Sequence, residues 1–217
     1  MSSNKNILSI ETSSNICGIS FISKGVCIDT IEEDSKQKHA EVLPSFYSKL
    51  KNTTGFILDE IDAIAISIGP GSFTGLRIGL SFAKGLAFSK NLPIIPVSTM
   101  MSLAYSLKEI YPEKGLIYSH AKRVFYQEIK WQKELPYPIS DVQVYEWNEI
   151  FKSINNEKNI FQFNCELFKD GNNLIQATLS SSYIGLLASI NYNKLVIEKP
   201  YDLVPNYVSP FVVKKKK

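Results

Sequence analysis

Three sets of residues in this chain have the types to do chemistry: a glycine-rich stretch, two histidines and a scatter of carboxylates. The stretch Ser67-Ile68-Gly69-Pro70-Gly71-Ser72-Phe73-Thr74-Gly75-Leu76-Arg77-Ile78-Gly79 has the composition of a phosphate cradle. A Walker A loop requires G-x-x-x-x-G-K-[ST], because backbone amides wrap the phosphates and the lysine reaches the terminal one. Counted from Gly69 or Gly71, the sixth position is Thr74 or Leu76, and no lysine follows. The dinucleotide fingerprint G-x-G-x-x-G fails too, with Gly75 one residue late. What remains is a strand-to-helix turn built on Gly69, Pro70, Gly71 and Gly75, whose free amides attract an anion only weakly.

The histidines, His39 and His120, are far apart in sequence, and Cys17, Cys27 and Cys165 show no CxxC spacing, so a metal site has little to build on. His39 reads either as a polar residue at a helix start or as one that orders, with Glu41, a partner-facing helix end. Two-metal phosphoryl chemistry needs clustered carboxylates. Glu11 closes the first strand, but Glu60 and Asp62 precede the fourth, so Glu11 reads as an acceptor for amides of its own turn.

The elements that must position these residues follow from hydrophobic period. Residues 7–11, 17–22 and 26–31 predict three antiparallel strands joined by short turns. Leu43, Phe46, Tyr47 and Leu50 fall at i, i+3, i+4 and i+7, predicting a helix that tolerates Pro44 in its first turn and ends within 52–55. The β-branched run 61–68 predicts a buried strand, followed by a helix over 74–90, a strand over 93–97 and a helix over 99–109. This β-β-β-α-β-α-β-α order is that of a ribonuclease-H-like domain. Strands over 116–119, 124–131 and 142–146, a weak helix, an apolar run at 160–163 and a helix over 175–190 then repeat it in degraded form. The predicted fold is α/β, two tandem ribonuclease-H-like lobes of the actin, Hsp70 and sugar-kinase type, with residues 1–110 as the N-terminal lobe and 111–217 as the C-terminal one.

On the second helix, Gly75, Gly79, Ala83 and Ala87 line up as a small-residue stripe, flanked by Leu76, Ile78, Leu80, Phe82 and Leu86. That apolar or small arc is about twice what a helix lying on its own sheet needs. Either another part of the chain covers the excess, or a partner's helix packs along it; we take the second as the expectation.

Composition is 44% hydrophobic over 217 residues, enough for a globular core, and the formal net charge of +3 is more than supplied by Lys214–Lys217. That tail reads as solvated, with a few phosphate contacts to a nucleic acid as the alternative. No long apolar run or leader pattern stands out, and the cysteines suit a reducing compartment, so we expect an unprocessed cytoplasmic protein with no membrane partner.

Several segments resemble, in order and spacing, the TsaB (YeaZ) family: Ile7-Leu8-Ser9-Ile10-Glu11-Thr12-Ser13, His39-Ala40-Glu41-Val42-Leu43-Pro44, the Gly69-to-Gly79 segment, Ala83-Lys84-Gly85-Leu86-Ala87 and Pro96-Val97-Ser98-Thr99. Weaker likenesses follow at Ala121-Lys122-Arg123-Val124-Phe125-Tyr126 and Pro205-Asn206-Tyr207-Val208; His120 and Ser209 depart from the family's usual Asp and Arg, and no glycine stands near Phe163-Asn164-Cys165. The resemblance implies a non-catalytic subunit that pairs with its catalytic paralogue TsaD, which transfers a threonylcarbamoyl group to the adenosine beside the tRNA anticodon. The resemblance also implies the ATPase TsaE as a further partner, with tRNA met through the complex; apart from the resemblance, the small-residue stripe could pair with itself in a symmetric homodimer when the paralogue is absent. TsaD's metal-binding HxxxH pair corresponds to Thr99 and Leu103 here, so no cofactor is expected in this chain, and nucleotide at the subunit interface stays open. The expected partner interface is His39, Leu43, Phe46, Tyr47, Leu50, Phe73, Leu76, Gly79, Leu80 and Ala83. The alternatives are a metal- or ATP-dependent enzyme, peptidase-like or ATPase, and a self-associating structural homodimer.

Overall fold

The structure is a computed structural model that describes residues 4–35, 38–154, 157–168 and 170–208. Ser209 and the Lys214–Lys217 run lie outside the described residues. The chain opens with a meander of β1 (Asn6–Glu11), β2 (Ile16–Ser23) and β3 (Val26–Asp34), antiparallel as the short turns predict. Helix α1 (His39–Thr54), strand β4 (Ala63–Ser67), helix α2 (Phe73–Lys90), strand β5 (Ile94–Val97) and helix α3 (Thr99–Tyr105) follow. Strands β4 and β5 add in parallel, giving the sheet order β3-β2-β1-β4-β5.

Strand alternation divides the first sheet's residues between two cores. Leu8, Ile10, Ile64 and Ile66 point toward α1 and α2, where Leu43, Phe46, Leu50, Leu80 and Ala83 complete one cluster. Ile7, Ala63, Ala65, Ile95 and Val97 point the other way, into a cluster shared with α3 and with Ile117, Phe125 and Phe161 of the second sheet. Helix α1 begins at His39, so Pro44 lies inside the helix and not in its first turn. Having no amide for the Ala40 carbonyl, Pro44 is tolerated because both residues are exposed to water. Helix α3 is regular only to Tyr105; residues 106–110 continue as turns, short of the expected residue 109.

The second half contains β6 (Lys114–His120), β7 (Arg123–Gln132), β8 (Leu135–Pro138), β9 (Gln143–Glu146), α4 (Trp147–Ile154), β10 (Ile160–Phe163) and β11 (Ile175–Gln176). Its sheet runs β11-β10-β6-β7-β8, with β9 also on β7. The expected helix over 175–190 divides: Ile175 and Gln176 pair with β10, and α5 (Ser181–Ile190) starts where the Ser180 hydroxyl accepts from the Ser182 amide. A short α6 (Tyr192–Leu195) follows. The α/β architecture is the tandem two-lobed type that the sequence predicts, with a reduced second copy. Helix α5 packs back on the first sheet: Ser9 Oγ donates to the Ser181 carbonyl at 2.8 Å, and Glu32 accepts from the Ser181 amide. Among the described residues no helix is long and apolar enough to cross a membrane.

Candidate partner interface

The glycine-rich turn leaves the end of β4 beside the end of β1, where Ile10 pairs with Ile66. Glu11 is fully buried there. Its Oε1 accepts from the Ser13 amide at 2.5 Å and from Ser67 Oγ at 3.1 Å, while Oε2 has no partner among the described residues. Burial raises the Glu11 carboxyl to about 7, against the pull of those two donors, because water no longer stabilises its charge. The expectation that Glu11 serves amides of its own turn matches this geometry, with the Ser67 hydroxyl as a second donor.

Thr12 and Ser13 then run directly beneath the start of α2. The Ser72 amide donates to the Ser13 carbonyl at 2.7 Å. A Cβ on Gly71 would sit 2.2 Å from the Ser13 carbonyl oxygen, one on Gly75 2.1 Å from that of Thr12, and one on Gly79 2.1 Å from Thr12 Oγ1. Gly69 has φ +107°, a conformation that favours glycine, and is joined to Pro70 by a cis peptide bond. Ser72 caps the helix, its Oγ accepting from the Gly75 amide at 3.2 Å. That cap occupies one of the amides that an anion would need.

The structure therefore corrects the expected contacts. The small-residue stripe of α2 rests on the chain's own Thr12 and sheet, and the backbone that Gly75 admits is internal. Of the ten expected interface residues, His39, Leu43, Phe46, Leu50, Leu76, Gly79, Leu80 and Ala83 are buried within the chain, so none of them offers a free surface. Only Tyr47 and Phe73 are partly exposed. His39 Nε2 lies 2.8 Å from the Ser14 carbonyl, a geometry that only a protonated Nε2 can use, and Nδ1 lies 3.1 Å from Ser35 Oγ. It ties the β1–β2 turn to the start of α1, while Glu41 is exposed.

What α1 and α2 do present outward is a different surface. Thr74, Ile78, Ser81 and Gly85 recur at i, i+4, i+7 and i+11 along one face of α2; all are exposed except Ile78, which is half-buried. A Cβ on Gly85 would meet no heavy atom of the described residues within 4 Å. Tyr47 of α1 and Phe82 of α2 meet edge to face at 6.3 Å on one side of this face. On the other side lies the C-terminal segment 198–208, where Tyr207 accepts from Arg77 Nε at 2.8 Å and the Tyr201 carbonyl accepts from Lys84. Sequence reasoning met Gly85 only inside the Ala83-Lys84-Gly85-Leu86-Ala87 motif, because it followed the small-residue stripe through Ala83 and Ala87 and left the opposite face unread. It noticed Pro205-Asn206-Tyr207-Val208 only as a motif.

Elsewhere, His120 is exposed at the end of β6, and Thr99 and Leu103 are buried in α3. Among the described residues no three His, Cys, Asp or Glu side chains gather as metal ligands.

Comparisons with known proteins agree with this fold. The family model described as "TsaD: tRNA N6-adenosine threonylcarbamoyltransferase" matches residues 30–134. A "tRNA threonylcarbamoyladenosine biosynthesis protein TsaB" of Buchnera aphidicola from Acyrthosiphon pisum is 31% identical over 212 residues, 96% of this chain and 89% of its own length. The protein of the same description from Haemophilus influenzae is 30% identical over 151 residues, 68% of this chain and 62% of its own length. The solved structure of YeaZ from Pseudomonas aeruginosa superposes with a TM-score of 0.74 at 21% identity, covering 94% of this chain and 99% of that one.

Proposed function

Because the chain belongs to the TsaB family, we propose that it serves in making threonylcarbamoyladenosine on tRNA as a non-catalytic subunit that binds and activates the TsaD paralogue in the cytoplasm. The ATPase TsaE joins the pair, and tRNA is met through the complex. Docking a rigid helix face favours one arrangement of the catalytic partner, so activity depends on a subunit that does no chemistry.

The observation that carries this reading is Gly85. A glycine inside a helix costs about 0.5–1 kcal/mol relative to alanine. Gly75 and Gly79 have an internal reason for being glycine, a neighbour closer than any Cβ allows, and Gly85 has none among the described residues. An incoming backbone on the Thr74–Ile78–Ser81–Gly85 face supplies the reason. The buried residues first expected at the interface hold this face from beneath. The non-catalytic part is supported by Glu11, whose carboxyl burial holds above the ordinary carboxylate range, and by His120, which stands where the family usually has Asp.

The test is Gly85→Arg, which enters open space in the isolated chain and blocks a helix packed there. Thermal unfolding should be unchanged or improved, while co-purification with TsaD and tRNA modification in reconstitution should both be lost. Survival of both at wild-type level overturns the docking assignment. Clear ATP turnover by the isolated chain overturns the non-catalytic one.

A further inference from the structure

Every structural role found so far for the glycine-rich turn is internal, yet the turn also touches the far end of the chain. The Asn206 amide donates to the Ile68 carbonyl at 2.8 Å, and the Asn206 carbonyl lies 3.1 Å from where a Cβ on Gly69 would be. One residue on, Tyr207 packs its ring 4.8 Å from that of Phe73 and accepts from Arg77, whose guanidinium lies 3.7 Å above the Phe73 ring. Further back, the Tyr201 carbonyl accepts from Lys84 Nζ at 2.7 Å, and Ile197 exchanges both backbone hydrogen bonds with Ile94 at the edge of β5. Segment 198–208 thus grips α2 at its first turns, at its middle, and at the turn that feeds it.

We propose that segment 198–208 is a releasable latch that keeps the N-terminal half of α2 ordered and thereby sets how strongly the outer face of α2 binds its partner. This rests on the reading that α2 is the docking helix.

The latch is held at points and not along its length. Apart from a short 3-10 turn at Pro200–Asp202 it has no regular structure, and Tyr201 and Val204 are 59% and 65% exposed. Leu203 and Val208 each reach one of the two cores only partly, while Pro200 and Pro205 are buried. Few buried contacts and isolated hydrogen bonds characterise segments that open far more easily than the whole fold. Opening strips the Ile68 carbonyl, Arg77 and Lys84 of these partners at once. The first turns of α2 then lose the cover over their capping turn, and a partner must order them on binding, which weakens association without removing any direct contact.

The experiment uses the full chain and three variants, Tyr207→Ala, Tyr207→Phe and Gly85→Arg. Amide exchange is read at Leu76, which donates to Ser72, and at Leu187 in α5 as a remote control. TsaD affinity is read in parallel. Tyr207→Ala should speed Leu76 exchange about tenfold or more while leaving Leu187 unchanged, as expected of a local opening, and affinity should fall in proportion. Tyr207→Phe, which keeps the ring on Phe73, should recover part of both. Unchanged Leu76 exchange in Tyr207→Ala overturns the latch, whatever affinity does. Faster exchange with unchanged affinity, where Gly85→Arg abolishes binding, overturns the coupling and leaves the docking face standing. Faster exchange with binding untouched by either variant overturns the docking face and the regulation drawn from it.

Discussion

Gly75 lies so close to Thr12 that a single methyl group on it would approach the Thr12 carbonyl oxygen to 2.1 Å. The contact joins the end of β1 to the first turn of α2 across 63 residues of chain, and neither side can retreat: Thr12 is fully buried, and Gly75 is tied to Ser72. Gly75→Ala should therefore lower unfolding stability by about 1–3 kcal/mol, the usual cost of overpacking, read from the urea midpoint. A stability equal to wild type would mean that the turn yields.

Gly85 should behave oppositely in the isolated chain. Gly85→Ala removes backbone freedom from the unfolded state and meets nothing in the folded one. It should raise stability by about 0.5–1 kcal/mol. The two substitutions are chemically identical and lie on one helix, so their difference in sign is measurable in one pair of melts.

Glu11 predicts a pH dependence whose sign follows from its burial. The folded protein holds its carboxyl at about 7, above the ordinary 4.5, so the folded state binds this proton more tightly than the unfolded one. Its contribution is fully present below pH 4.5, is lost progressively as pH rises toward 7, and is constant above that. Ionising it in place costs on the order of 3 kcal/mol. Glu11→Gln should remove this slope, so that the variant's stability relative to wild type rises between pH 4.5 and 7 in urea melts. Parallel curves over that window would show Glu11 ionised normally in the fold.

His39→Ala should cost about 1–3 kcal/mol, because the Ser14 carbonyl and Ser35 lose a buried partner. TsaD affinity per folded molecule should stay unchanged, since the imidazole faces inward. A loss of affinity at unchanged stability would return His39 to the interface where the sequence reading first placed it.

The strands of the first sheet were legible because short apolar runs such as 63–67 pack on both faces and leave little else for them to be. The face of α2 was legible as a period, but its occupant was not. Periodicity measures the width of an apolar arc and says nothing about which distant residue fills it, and Thr12 arrives from another element. Strand β8 escaped notice because Pro136 and Pro138 argue against a strand, and only its place at a sheet edge accommodates them. The start of α5 was visible in Ser180-Ser181-Ser182, yet the apolar pattern carried the expected helix back across Ile175.

Helix α5 belongs to the second half of the chain but lies on the first sheet, where a Cβ on Gly185 would fall 2.3 Å from Ile22. During synthesis, the strands that emerge first wait with one side bare until residue 190 has left the ribosome. Ile7, Ile22 and Ala65 are then open to solvent and to other nascent chains for most of translation. A fragment ending near residue 110 keeps only α3 on that side and lacks the helix that covers β1 and β2, so it should be an aggregating species and not a small working domain.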